Sequence, residues 1–432
     1  MKYETVKTFI LVVLVGVSFL LSFIVWSYRP NYEDYYDASY VNEVDVGGVE
    51  LSKNDLIIPR EVIFRDNQHV TGFINPNDRL LFYKNIASWM LYDYRVTNSN
   101  GRPDDKKNYV ELIFPSAIPA ELLTSLFTFH DEFEPPNWSF ERVFLVVDEG
   151  KDELELLIPS VDQRKEIIAK IENSDVYNEL LSYMHNEEKL EEFISFGKND
   201  HPIYLPKERV KSSSKTLIGS KIKPDVFIDA LFSNPSLVTP NTKEAYFTDG
   251  QRGMRIDQDG RKLEFINPIQ SSYSMLDSME LLDKSINNIN EHKGWTNEFL
   301  FEKINKPKNN IQFRLYYDGY PIFDNHSLST IEQEWREQDL HLYSRPLVIL
   351  GNQLDSRDVE LASGQEVSNY LVNDQRLEIE NIQDIQVGYS LTFLDEAHSL
   401  MLEPNWFILY KGEWVKLNLL DNQQDLHFEG GG

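Results

Sequence analysis

Leu315-Tyr-Tyr-Asp-Gly319 is an aromatic strand closed by Asp-Gly, and Ala245-Tyr-Phe-Thr-Asp-Gly250 repeats its form. Asp-Gly between alternating strands signals a hairpin, because a type I′ turn needs positive φ at both central residues. Further on, Leu263-Glu-Phe-Ile-Asn-Pro268 and Leu340-His-Leu-Tyr-Ser-Arg-Pro346 are alternating strands that each end at Pro. A helix is expected before each block, over 225–232 and 275–290. A third copy has its helix at 365–372 and strands at 386–393, 406–410 and 414–417, with Lys411-Gly412 at the hairpin turn. The unit is one helix followed by a three-strand meander. Such a unit buries one face and needs neighbours to complete a core, which predicts an α+β fold for the C-terminal half.

N-terminal to the repeats, Pro202, Pro206 and Ser212-Ser213-Ser214 read as an irregular polar stretch and a domain boundary. Before it, Val143-Phe-Leu-Val-Val147 has the composition of a fully buried strand, paired with 153–158 across a turn at Glu149-Gly150. The segment 163–196 reads as helix, apolar at Ile167, Ile168, Ile171, Leu180, Leu181 and Met184, and broken at Asn173-Ser174-Asp175. Glu187, Glu188, Glu191 and Glu192 then form a solvated acidic face on that helix. The expected divisions are a tail over 1–8, an anchor over 9–28, and α+β domains over 31–205, 206–303 and 304–425.

The anchor rests on residues 9–26, an uncharged run whose only polar side chains are Ser18 and Ser22. As a helix it spans about 27 Å, close to a bilayer's hydrocarbon core. Trp26 and Tyr28 fall where an interfacial aromatic belt would lie. Lys2 and Lys7 precede the run and only Arg29 follows closely, which favours a cytoplasmic N-terminus and an extracytoplasmic bulk. The competing reading is a cleaved signal peptide with a poor site at Val25-Trp26-Ser27, but the apolar run is longer than the usual signal core of about 7–15 residues. Ser18 and Ser22 share one helix face with Gly16 nearby. Small residues at that spacing let a second helix approach and hydrogen-bond, so Gly16, Ser18 and Ser22 are the candidate interaction residues.

Composition narrows the rest. The 432 residues carry 42 Lys plus Arg against 70 Asp plus Glu, a net charge of −28, with no Cys. That field repels phosphate backbones, which argues against a nucleic-acid partner. The missing cysteines remove disulfides, thiolate nucleophiles and Cys-ligated metals.

Catalytic motifs are scarce. There is no GxSxG elbow, phosphate-binding loop, GxGxxG or HExxH. Ser212-Ser-Ser-Lys215 fits SxxK but lacks its companion motifs and sits in a polar run. Asp257-Gln-Asp-Gly260 resembles half an EF-hand loop, yet that register puts Arg255 and Ile266 where carboxylates are required, so it reads as a hairpin turn. His130 beside Asp131 and Glu132 makes no cluster, since adjacent residues point apart. His326 and His341 read as satisfied or exposed histidines. Neither a cofactor nor a metal is expected, and paired carboxylates can be neither assigned nor dismissed among so many acids.

The charged N-tail, the single apolar run, the acidic body, Tyr317-Asp-Gly-Tyr-Pro-Ile-Phe323 and Leu342-Tyr-Ser-Arg-Pro346 together resemble the YycH (WalH) family of Gram-positive bacteria. A Gly-x-Pro-hydrophobic-Phe segment is similar to one in the companion family YycI. The resemblance spans the whole chain. It implies an unusual N-terminal domain and two later α+β domains of shared topology. It also implies a non-enzymatic membrane protein that, with a YycI-like partner, restrains the sensor histidine kinase WalK (YycG) of cell-wall control through transmembrane helices. An extracytoplasmic module that binds a cell-envelope ligand is the alternative, and a wall hydrolase comes third.

Overall fold

In the computed structural model the described residues are Val15 and 44–419, apart from 104–105, 149–152, 172–173, 199, 242–244, 269–273 and 395–398. The anchor over 9–28, with Gly16, Ser18 and Ser22, lies outside them, Val15 apart. Among the described residues no helix is long and apolar enough to cross a membrane.

Strands dominate, in two sheets. The first has ten strands between Glu61 and Pro206, built around Asn108–Pro119, which pairs antiparallel with Glu61–Asp66 and with Ser139–Asp148. Ser139–Asp148 pairs in turn with Glu153–Pro159, Leu145 opposite Leu156, as the sequence predicts. Both of those leucines are fully buried.

The helix expected over 163–196 is corrected. The chain there is a strand Lys165–Ile171, a helix Ser174–Met184 and a second strand Leu190–Lys198. Ile167, Ala169 and Ile171 are buried on one side, the period of two that a strand presents. Two neighbours, Glu153–Pro159 and Met90–Asn98, complete its ladder. A short apolar run fits either period, and the waiting partner strands decide between them. The acidic helix face is lost with the helix. Glu192 is exposed and pairs with Lys207, whereas Glu191 turns toward the interior of the molecule.

The irregular stretch over 202–214 is corrected as well. His201–Pro206 is an edge strand of the first sheet, where a proline without an amide proton is tolerated. Arg209–Lys221 begins the second sheet and pairs along its length with Val348–Ser363, Ser213 opposite Asp358.

This second sheet has fourteen strands and carries the repeats. Helix Val226–Leu231 precedes the meander Tyr246–Thr248, Gly253–Asp257, Lys262–Ile266. Helix Ser278–Asn290 precedes Phe299–Asn305, Asn310–Tyr317, Tyr320–Phe323, Thr330–Arg336 and Asp339–Pro346, two strands more than the expected unit. Helix Gly364–Asn373 precedes Ile382–Leu394, Ser399–Tyr410 and Glu413–Lys416. The units fuse edge to edge, Phe265 pairing with Tyr343 between the first two and Ile322 running parallel to Tyr389 between the second and third. Stacked units thereby supply each other's missing neighbours.

The Asp-Gly signal holds at one site and fails at the other. Asp318 and Gly319 have φ of 49° and 75°, and Tyr317 pairs directly with Tyr320. At Asp249-Gly250 only the glycine is positive, at 91°. There the Asp249 carboxylate accepts the Gln251 and Arg252 amides at 2.9 and 2.7 Å, and the loop runs on to Gly253.

Candidate functional site

The two sheets belong to one compact unit and meet along a cleft. Helix Pro76–Ala87 positions its first wall. Asn75 caps it, accepting the Asn77 amide at 3.0 Å, and Pro76 occupies the first turn, where no amide donor is needed. Arg79 then reaches across the cleft and donates through Nη2 to the Gly319 carbonyl of the type I′ hairpin at 3.1 Å. It also donates to the Arg60 carbonyl and lies 3.9 Å from Glu61. Arg60 forms an ion pair with Asp384 of the second sheet. Gly319 is required twice over: its φ is 75°, and a Cβ there would lie 2.7 Å from the Cβ of Pro76.

Burial without full compensation shifts the charges in this cleft. Burial brings the Arg60 guanidinium down to about 10. Glu61 is raised by burial, partly offset by Arg79. Glu191 is pushed up to about 7, first by burial and then by the charges of Glu61 and Glu208. Arg60 Nε and Arg79 Nε are both buried with no hydrogen-bond partner among the described residues. Phe73, Phe193, Tyr320, Ile385 and Trp406 supply apolar walls around a space of about 100 Å³.

Other buried charges are self-contained. Glu111 takes two bonds from Arg102, at 2.8 and 3.0 Å, a third from the Tyr204 hydroxyl at 2.8 Å, and a fourth from Arg142. Glu302 accepts Arg314 at 2.5 and 3.0 Å and the Trp414 indole at 2.8 Å. Each carboxylate is held below its usual range by those arginines against the opposing effect of burial. Both carboxylates are thereby satisfied and hold a core together, although Arg142 Nε is itself buried with no hydrogen-bond partner among the described residues.

The motifs weighed in the sequence fall elsewhere. Ser212 and Lys215 lie on one strand, where Ser212 hydrogen-bonds Tyr389 and Lys215 pairs with Asp318. Asp257-Gln-Asp-Gly260 is the turn between Gly253–Asp257 and Lys262–Ile266. His130 is exposed and 3.2 Å from Asp131. His341 touches the Asn267 carbonyl at 2.7 Å. Among the described residues no group of three or more His, Asp or Glu could hold a metal.

Sequence reading missed Arg60, Glu61, Arg79, Glu191 and Asp384. No local pattern joins positions so far apart, and Glu191 was hidden by the helical reading.

Fold and cleft define the class: a strand-dominated protein of two sheet lobes clamped across a charged, apolar-walled cleft. The family models for the YycH protein N-terminal domain and C-terminal domain match residues 4–189 and 200–424. The chain belongs to the YycH family. It is 22% identical to the "Two-component system WalR/WalK regulatory protein YycH" of Bacillus subtilis (strain 168), covering 96% of this chain and 97% of that one. The crystal structure of YycH from Bacillus subtilis shares the fold, with a TM-score of 0.72 at 20% identity over 86% of this chain and 98% of the other.

Proposed function

We propose that this chain is a non-enzymatic regulator of a two-component system, anchored in the membrane by residues 9–28 and restraining a WalK-like sensor kinase together with a YycI-like partner. The observation that carries the reading is family membership across both halves, with a relative of matching length that is named as a WalR/WalK regulatory protein. In this reading the N-terminus is cytoplasmic, the body is extracytoplasmic, and it comprises domains over 31–205, 206–303 and 304–425.

A structural link supports transmission. The start of the described body is fastened to the second lobe: the amides of Val46, Gly48 and Val49 donate to the carbonyls of His292, Lys293 and Trp295 at 3.1, 3.1 and 3.2 Å. A change at the 292–295 loop of the body thus bears directly on residues 46–49. If the anchor packs better against one kinase state, a differential affinity of about 1–3 kcal/mol moves the population several-fold or more.

Co-purification of full-length protein with the kinase from membranes tests this. The native helix is expected to recover the kinase and the Ser18→Leu/Ser22→Leu variant to lose it. Equal recovery of both would move the contact out of the bilayer, and recovery of neither would overturn the reading.

A further inference from the structure

Val348–Ser363 runs for 16 residues and ends the second sheet. Arg209–Lys221 fills one of its edges, and among the described residues no strand fills the other. From Asn352 to Asp358 seven consecutive residues are exposed, so neither face of the strand is covered there. Natural sheet edges are blunted by short length, by proline or by lysine. This edge is far longer than the usual strand of about 5–6 residues, and it holds neither Pro nor Lys. Its bulges against Arg209–Lys221 lie before Asp355 and after Leu361, and between those two residues the ladder is regular.

The charges on this stretch find no match in their own sheet. Asp355 and Arg357 are two residues apart and so share a face. Their cross-strand neighbours are the uncharged Thr216 and Ser214. Among the described residues neither side chain makes a hydrogen bond or an ion pair.

A second copy answers both the open edge and the unmatched charges. An antiparallel pair related by a two-fold axis places one residue directly opposite its own copy, because the axis keeps each side chain on its own face. Centring on Asp355, Arg357, Asp358 or Glu360 sets a charge against itself, and centring on Val359 sets Asp358 against Glu360. Like charges directly opposite are unfavourable. Within this strand Ser356 is the one centre that sets opposite charges together. There two small hydroxyls meet on the axis, and Asp355 of each copy faces Arg357 of the other.

We propose that this edge pairs antiparallel with the same edge of a second copy of the chain, about a two-fold axis at Ser356. The second sheets of the two copies then continue into each other across the contact. The bulges before Asp355 keep the pairing short, so the association is weak and reversible. It needs only the folded body and stands apart from the kinase reading.

The chain has no cysteine, so a single introduced thiol reports the geometry cleanly. Ser356→Cys sets two Cα atoms about 4.5–5.5 Å apart across the axis, within the roughly 4.4–6.8 Å that a disulfide spans. Asn352→Cys, at an equally exposed position, leaves its two thiols more than about 20 Å apart in the same pair. Full-length protein in detergent is oxidised mildly and the covalent dimer followed on non-reducing gels. Ser356→Cys is expected to cross-link at least ~10-fold faster than Asn352→Cys. In the Ser356→Cys background, Asp355→Arg alone and Arg357→Asp alone each set like charges opposite and are expected to slow cross-linking ~10-fold. An equimolar mixture of those two variants is expected to recover most of the rate, because each supplies the charge that the other lacks. Equal rates at Ser356→Cys and Asn352→Cys, or no recovery in the mixture, would overturn the proposal. Absence of any cross-link at Ser356→Cys, with its thiol still reactive to a maleimide, would overturn the second copy as occupant and leave the edge to a strand of another protein.

Discussion

Glu191 shows how one side chain changes meaning with its surroundings. Its carboxyl titrates near 7 in the folded chain, against a reference of 4.5, because burial and the neighbouring Glu61 oppose its charge. A raised carboxylate pKa means the native state holds a proton that the unfolded chain has released. Stability from this group therefore falls as pH rises from about 4.5 to 7, and the loss is complete above that window. Replacing it with glutamine removes the loss. Glu191→Gln is expected to be more stable than the parent at pH 8 by about 1–2 kcal/mol, a figure reduced for the group's partial wetting. The gain should vanish at pH 4. Denaturant melts at both pH values check this, and a gain that is equal at both would show that Glu191 is not the titrating group.

At the scale of elements, the hairpin at Asp318-Gly319 and the one at Lys411-Gly412 have the same backbone chemistry but different surroundings. Both glycines are left-handed, at 75° and 88°. Nothing lies within 4 Å of a Cβ added at Gly412, whereas one at Gly319 would press on Pro76 of the facing lobe. Gly412→Ala is expected to cost about 1 kcal/mol from backbone strain alone. Gly319→Ala adds a steric clash at the clamp and should cost clearly more, about 2–4 kcal/mol. Thermal melts of the two variants separate the contributions, and equal shifts would mean that the Pro76 contact relaxes without consequence.

Across the molecule, the attachment of residues 46–49 to the 292–295 loop is what ties the start of the described body to its second lobe. It depends on Gly48, where a Cβ would lie 2.5 Å from the carbonyl oxygens of both Lys293 and Trp295. Gly48→Ala is expected to release this segment while both sheets stay intact, since among the described residues none of their strands begins before Glu61. Hydrogen exchange at the amides of Val46, Gly48 and Val49 should accelerate ~10-fold or more, with protection in Asn108–Pro119 unchanged. Unchanged exchange over 46–49 would remove the mechanical link from the regulatory argument.

Local chemistry made much of this chain legible in advance. Individual helices and hairpins of the C-terminal half follow from alternation, turn residues and caps: the type I′ pair at Asp318-Gly319 needs only its own φ angles, and Ser363 with Glu366 forms a capping box that starts its helix without tertiary help. The apolar run over 9–26 and the family signature at 317–323 are likewise properties of contiguous residues. What local chemistry left open, the partners settled. Lys165–Ile171 carries isoleucines that fit helix or strand, and it became a strand because two neighbours offered unfilled ladders. Pro202 and Pro206 read as breakers until they were placed at a sheet edge. The cleft is the extreme case. Arg60, Arg79, Glu191 and Asp384 have no spacing that marks them, and they come together only when two lobes exclude water around them. Sequence alone determined which elements form where period, turn and cap agree, because those terms act within a few residues. Tertiary structure decided which ambiguous segments pair and which charges meet, because burial and long-range pairing exist only in the assembled fold.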